Sequence, residues 1–285
     1  MKKQKQKQML TKIKRGFLIL VAIIMTIVIY NVYNNNRIAV VKQNVAIKNL
    51  PKEFENFTIL QVSDLHEKRF GNNQKRLIEI INSQNYDMMA ITGDMQNEET
   101  KDDKPLLEML DGIKNKDNIF YVEGNQGPEF SDKLSSRGCI SLDKPVEIKR
   151  GASSIWVYDF FDGKLNNEIK EIDDSDIKIA VTHYPFDEAF YKNSAKDSIG
   201  EYDLVLAGHY HGGQVRIPFY GAVFIPDVNG NSFLPEQNVV SGLNTYGRYN
   251  QYVSRGLGAS KNGIFKFRLF NTPEINLITL VKDSD

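Results

Sequence analysis

Five short apolar runs in this chain are each followed, within three residues, by Asp, Asn or His. Phe57-Thr-Ile-Leu-Gln-Val-Ser63 leads into Asp64-Leu65-His66, and Met88-Met-Ala-Ile-Thr92 into Gly93-Asp94. Ile119-Phe-Tyr-Val122 leads into Glu123-Gly124-Asn125, Ile177-Lys-Ile-Ala-Val181 into Thr182-His183, and Leu204-Val-Leu-Ala207 into Gly208-His209-Tyr210-His211. Runs this short and rich in β-branched residues read as buried strands. Between them, Leu77, Ile80 and Ile81, then Leu106, Leu107, Leu110 and Ile113, recur at helical spacing. Strands alternating with helices predict a layered α/β sheet. Such sheets present functional groups at the carboxyl ends of their strands, which is where all five polar positions fall. Ile155-Trp-Val-Tyr158 continues the series. After Gly208 the pattern turns to β and loops, with strand signals at Ile264-Phe-Lys-Phe267 and Ile275-Asn-Leu-Ile-Thr-Leu280. This late β-rich part is expected to form a second sheet packed on the first.

The residue types point to a metal. The chain has four histidines, and all of them lie in these positions. Imidazole is the commonest side-chain ligand for transition metals. Asp64 and His66 are two apart, so in extended chain both face one ion. Gly93 lets the chain turn sharply ahead of Asp94, and Gly124 does the same ahead of Asn125. A single histidine, one Gly-Asp or one His-x-His would mean little; their joint order after strands is the signal. Asp64, His66, Asp94, Asn125, His183, His209 and His211 are too many donors for one ion that keeps an open position. They suit two ions about 3.5–4 Å apart sharing one carboxylate. A hydroxide bridging such a pair is a nucleophile near neutral pH, and the ions neutralise phosphoryl oxygens, so the expected chemistry is hydrolysis of a phosphate ester.

The balance of 36 basic and 36 acidic residues gives no reason to expect a nucleic-acid partner. Cys139 is the one cysteine; it reads as a small buried apolar residue, and thiolate metal sites are excluded. Gly16–Tyr33 is uncharged and close to the roughly 17–25 residues that cross a bilayer as a helix. Residues 1–15 carry Lys2, Lys3, Lys5, Lys7, Lys12, Lys14 and Arg15 and no acid, which predicts a cytoplasmic N-terminus and an extracellular bulk. No small-residue cleavage site follows Tyr33, so the segment reads as an uncleaved, single-pass anchor in the cell membrane. The expected organisation is a basic N-terminus over 1–15, an anchor over 16–33, a connector with first strands over 34–56, and one domain over 57–285.

These motifs resemble those of the calcineurin-like metallophosphoesterases, specifically a membrane-associated bacterial branch. The order Asp-x-His, Gly-Asp, Gly-Asn, His, Gly-His-x-His spans about residues 57–215, and Gly212-Gly-Gln, Val253-Ser-Arg-Gly-Leu-Gly and Pro273-Glu-Ile extend the likeness. The resemblance implies a four-layer α/β/β/α sandwich of the metallophosphoesterase type, preceded by one N-terminal transmembrane helix. It implies one metal held by Asp64, His66, Asp94 and His211, and a second by Asp94, Asn125, His183 and His209, with Asp94 bridging. Mn, Fe or Zn would be the usual ions.

One residue departs from that pattern. The family carries a histidine after Gly-Asn, as proton donor or charge stabiliser beside the scissile phosphate; this chain has Gln126. Glutamine donates a neutral hydrogen bond and cannot protonate a leaving alkoxide. General acid catalysis is worth roughly 10²–10⁴-fold, or about 2.7–5.4 kcal/mol. The first expectation is therefore a membrane-anchored phosphoesterase acting on a phosphate mono- or diester, from a lipid or the cell wall, with activity lowered at Gln126. The alternative is a metal-loaded protein that binds or senses a phospho-ligand with little turnover, whether Gln126 is natural or an engineered trapping substitution. Tyr184, Tyr210, Arg216 and Arg255 are candidates for the rim, with Arg255 either clamping phosphate or bracing a loop. Asp159 and Asp162 read as loop acids without a role, and Phe219, Tyr220 and Phe224 as aromatic packing between sheets.

Overall fold

A computed structural model describes residues 2–160, 172–173, 175–187, 191, 202–227, 230–247, 249–261 and 266–283. Two six-stranded sheets dominate it. The first runs β1 (Ala39–Ile47), β16 (Glu274–Lys282), β2 (Thr58–Val62), β3 (Met88–Thr92), β4 (Ile119–Val122) and β5 (Cys139–Ser141). The second runs β14 (Gly242–Tyr246), β15 (Tyr249–Val253), β9 (Leu204–Ala207), β8 (Ile177–Val181), β7 (Ser153–Asp159) and β6 (Val146–Arg150).

Side-chain alternation explains the layering. In β2 and β3, Ile59, Met88 and Ala90 face the second sheet, where they meet Val157, Ile179, Val181, Leu204 and Leu206. Leu60, Val62, Met89 and Ile91 face the other way, onto Leu77 and Ile81 of α2 (Lys75–Asn82) and Leu106, Met109 and Leu110 of α3 (Lys104–Gly112). Strands buried on both faces read as unbroken apolar runs, which is why these were visible in the sequence. Cys139 is buried in the helix-side cluster, and burial pushes its thiol up to about 12. The outer face of the second sheet carries an aromatic cluster of Tyr158, Phe186, Tyr191, Tyr202 and Tyr249. The connections where the fourth layer is expected lie largely outside the described residues.

Three expectations are corrected. The second sheet does not begin after Gly208: it already holds β6 to β9, because the β6–β7 hairpin starts it at Val146. The C-terminal strand β16 returns to the first sheet, between β1 and β2, antiparallel to β2. The first strands expected within 34–56 are one continuous edge strand, β1, parallel to β16. At the expected strand over 264–267, residues 264–265 lie outside the described residues, and Lys266 and Phe267 are not in a strand.

Helix α1 (Lys2–Asn35) is long and apolar enough to cross a membrane, and its apolar side chains face outward. Its C-terminal end is held by the domain. Asn31 Oδ1 accepts from the Phe270 amide at 2.7 Å, Asn34 Oδ1 from Thr272 Oγ1 at 2.8 Å, and Asn35 Nδ2 donates to the Arg268 carbonyl at 3.0 Å. Lys68 Nζ donates to the Asn35 carbonyl at 2.6 Å, at the negative end of the helix dipole.

Candidate metal centre

Strands β2, β3 and β4 are mutually parallel, and so are β8, β9 and β15. Their carboxyl ends meet at one edge of the sandwich. Beneath that edge the apolar filling gives way to a polar floor: Gln61 Nε2 donates to Thr92 Oγ1 at 3.2 Å and across to the Ala207 carbonyl at 2.8 Å. Asp64 and His66 follow β2, Asp94 follows β3, Asn125 follows β4, His183 follows β8, and His209 and His211 follow β9.

The structure brings all seven together. Asp64, His66, Asp94 and His211 form one buried cluster whose donor atoms lie within 4.8 Å of one another. His66 Nε2 is 3.2 Å from His211 Nε2 and 3.3 Å from Asp94 Oδ2, and His211 Nε2 is 3.5 Å from Asp64 Oδ1. A second cluster adjoins it through the other oxygen of Asp94. His183 Nε2 is 3.4 Å from Asp94 Oδ1, 3.0 Å from Asn125 Oδ1 and 3.1 Å from His209 Nδ1. Bonds of about 2.0–2.2 Å to a divalent ion place its ligand atoms roughly 2.9–3.5 Å apart, so the spacing is that of a coordination shell. The donor set, carboxylate and imidazole without thiolate, fits Mn, Fe or Zn.

Protonation states agree with that fit. Burial pushes the His209 imidazole down to about 3, helped by His183, and pushes His211 well below its ordinary value, helped by His66. Both keep a lone pair for a cation. His183 Nδ1 contacts the Thr92 carbonyl at 2.9 Å, which turns the Nε2 lone pair inward. Burial raises the Asp64 carboxyl above its usual range, opposed by His183. Burial acts in the same direction on Asp94, but the hydrogen bond from His66 and the charges of His183 and His66 carry it below that range.

The local backbone is under strain. Asp64, His66, Asp94, His209 and His211 all have left-handed φ, between 45° and 71°. Such residues cost about 1–3 kcal/mol each and persist where surrounding contacts fix them. Here the loops stitch each other: the Asp64 amide donates to the Gly93 carbonyl, His66 to Asp94 and Glu67 to Met95, at 3.0–3.1 Å. Gly93 combines a φ of 87° with close approach, since a Cβ there would lie 2.6 Å from His183 Nδ1. At Gly124 a Cβ would strike the Asp94 carboxylate.

Gln126 is buried beside the centre. Its amide donates to Asp94 Oδ1 at 2.7 Å, and its Nε2 donates to Ser260 Oγ at 3.3 Å. Tyr184 packs its ring on His183 at 5.0 Å and on His209 at 4.6 Å. Tyr210 lies 5.8 Å from His209 and packs against the Ala222, Ile225 and Val240 cluster. Arg255 Nε donates to Ser241 Oγ at 3.3 Å and lies 3.6 Å from buried Glu274, with its stem against Gly212. Arg216 Nη1 donates to the Gly212 carbonyl at 2.8 Å. Asp159 ends β7, and Asp162 lies outside the described residues. Of the three aromatics expected between the sheets, Phe224 is buried; Phe219 and Tyr220 are exposed, because they form the tip of a hairpin.

Sequence reading missed the supports. Asn271 Nδ2 donates to the His211 carbonyl at 2.7 Å, and Asn97 Nδ2 to the His66 carbonyl at 3.1 Å. Buried Arg268 donates to the carbonyls of Arg255, Gly258 and Asn271 at 2.6–3.0 Å. Burial lowers it to about 10, so the guanidinium stays charged. No motif marks these residues: Asn97 and Asn271 act on loops 31 and 60 residues away, and Arg268 on carbonyls 3, 10 and 13 residues away.

Residues 57–213 match the family described as calcineurin-like phosphoesterase. The chain is 27% identical over 249 residues, 81% of each protein, to the uncharacterized metallophosphoesterase YkuE of Bacillus subtilis (strain 168). It is 25% identical over 233 residues to the uncharacterized metallophosphoesterase YkoQ of the same organism, covering 76% of this chain and 81% of that protein. Phosphodiesterase YaeI of Escherichia coli (strain K12) is 36% identical over 80 residues, 28% of this chain and 26% of YaeI.

Proposed function

The chain belongs to the calcineurin-like phosphoesterases and is thus a metal-dependent phosphoester hydrolase, and from that premise we propose a membrane-anchored enzyme with a paired-cation centre. Asp64, His66, Asp94 and His211 would hold one divalent ion, and Asp94, Asn125, His183 and His209 the other. The observation that carries this reading is the position of Asp94, one carboxylate oxygen toward His66 and the other toward His183. Bound there, two ions supply Lewis acidity toward phosphoryl oxygens and lower the pKa of a water.

The chain's own residues set the rest. His209 and His211 stay neutral and keep their lone pairs on the site, and His183, with Nδ1 on the Thr92 carbonyl, turns its Nε2 inward. Tyr184 walls one side of the imidazoles and excludes water from them. Arg255, held by Glu274 and Ser241, braces the Gly212 loop instead of clamping phosphate. Gln126, fixed through its amide to Asp94, can offer a leaving oxygen only a neutral hydrogen bond. Turnover then favours leaving groups that need no proton. The anchor, crossing with its N-terminus in the cytoplasm and the catalytic domain outside, supports a phosphate mono- or diester of the envelope, from a lipid or the cell wall, as substrate.

The test compares the full chain with Gln126→His on nitrophenyl and alkyl phosphate mono- and diesters in Mn²⁺. The parent is expected to hydrolyse the nitrophenyl esters, and Gln126→His to accelerate alkyl esters by about 10²-fold or more. A silent parent beside an active Gln126→His variant would favour the phospho-ligand binding reading. Metal-loaded protein inactive in both forms would overturn the hydrolase assignment for this centre.

A further inference from the structure

The loops that follow His211 form an apolar platform linked to helix α1 by a run of backbone bonds that ends on the Asn31 side chain. The hairpin of β10 (Arg216–Ile217) and β11 (Gly221–Ala222) turns at Pro218-Phe219-Tyr220, closed by the Tyr220 amide on the Ile217 carbonyl at 3.1 Å. A second hairpin, β12 (Phe224–Asp227) and β13 (Gly230–Phe233), is followed by Leu234, whose amide donates to Val223; the Val223 amide donates to Val215. Val215 bridges Leu269, and the Arg216 amide donates to the Leu269 carbonyl at 2.9 Å. Next along the chain, the Phe270 amide donates to Asn31 of α1, and the Phe270 ring lies 5.7 Å from Tyr30.

Ile217, Phe219, Tyr220, Phe233, Leu234 and Phe267 are all exposed on this platform. Three of its apolar residues, Phe219, Leu234 and Phe270, have left-handed φ of 51–68°. That conformation favours Gly and Asn and is an outlier for bulky side chains. Phe219 and Leu234 thus carry a backbone cost that burial within this chain does not offset. Residues 214–226 and 266–273 contain Arg216, Lys266 and Arg268 and no acid; the second hairpin adds Asp227, and Glu236 lies two residues past Leu234. Tyr30 lies near the end of the apolar stretch, where aromatic side chains sit at the membrane–water boundary. Phe270, seated on Tyr30, fixes the platform at that level.

We propose that the tips bearing Phe219 and Leu234 insert into the outer leaflet of the bilayer that α1 spans. The metal centre would then sit at the height of the lipid headgroups. This rests on the reading of α1 as an anchor. Buried apolar side chains give interfacial binding that adds to the helix and sets the domain's tilt. The platform starts three residues after His211, so that tilt determines where the centre faces.

The test uses the full chain in phospholipid vesicles with brominated acyl chains, reading Phe219→Trp and, as a second variant, Leu234→Trp. Val28→Trp in α1 is the control, and the parent, with Trp156 as its one tryptophan, gives the background. Emission from both platform tryptophans is expected to fall by half or more with bromolipid and to resist iodide, as at Val28→Trp. Quenching by iodide and not bromolipid, with the control still quenched by bromolipid, would overturn the platform and leave the anchor standing. Protection from both quenchers would show the tips covered by a second copy, and would overturn it too. A control that bromolipid does not quench would overturn the anchor reading beneath the proposal.

Discussion

The two sheets contribute to one centre in different ways. The first sheet supplies Asp64, His66, Asp94 and Asn125, and its loops are sewn directly to each other: Asp64 to Gly93, His66 to Asp94, and Gln96 to Gln126, all through the backbone. The second sheet supplies imidazoles; its two loops share a backbone bond, the Gly208 amide to the His183 carbonyl, and the loop carrying His209 and His211 is further held by side chains. Asn271 holds the His211 carbonyl, Arg216 the Gly212 carbonyl, and Arg268 fixes the segments around Arg255, Gly258 and Asn271. The first half is held mainly by backbone bonds between its loops, with Asn97 added on the His66 carbonyl. The second hangs also on a C-terminal segment, 268–272, that contacts helix α1.

Asp94→Asn breaks the comparison most completely, because Asp94 touches both halves. Losing its charge is expected to remove about 4 kcal/mol of transition-state stabilisation, near a thousand-fold in rate. Initial rates on a nitrophenyl ester, with metal content measured alongside, check this. Retained activity would show that the halves do not share that carboxylate.

Asn271→Ala separates the halves. It leaves every proposed ligand in place and removes the Asn271 bond to the His211 carbonyl. Loss of a residue that orients a ligand is expected to lower metal affinity about 10–100-fold. Chelator titration of the full chain reads this, and an unchanged midpoint would show the imidazole loop standing on its own.

The same contrast explains what could be read from sequence. Asp64, His66, Asp94, Asn125, His183, His209 and His211 were legible because each directly follows a short apolar run, and strand ends in parallel sheets share an edge. Asn97 and Asn271 were not, because a side chain that caps a carbonyl 31 or 60 residues away leaves no local pattern, and Arg268, whose carbonyls lie 3, 10 and 13 residues away, sits in no motif. Strand identity was legible for the buried runs but not at Lys266–Phe267, and sheet membership was not legible. Ile275–Leu280 reads as a strand in any sheet, and only pairing with β1 and β2 places it in the first. Phe219 and Tyr220 looked like packing because hydropathy does not distinguish a core residue from one at an exposed tip.

A smaller effect follows from proton uptake. The folded imidazoles of His209, at about 3, and His211, well below its ordinary value, stay neutral where unfolded histidine becomes charged near 6.5. Between those values the unfolded chain binds more protons, so stability falls as pH drops through 6.5. Asp94, held low, adds to that loss on further acidification; Asp64, held high, opposes it. The urea midpoint of metal-free protein is therefore expected to decrease from pH 7 to pH 5, with a shallower slope in His209→Asn. A midpoint indifferent to pH in that window would mean these imidazoles are not held neutral.

The most direct test counts ions. Elemental analysis of the purified full chain, beside His66→Ala and His183→Ala, should give two equivalents of divalent metal in the parent and one in each variant. A parent that binds none, or a His183→Ala variant that keeps the parent's full complement, would contradict a cation pair built from both sheets.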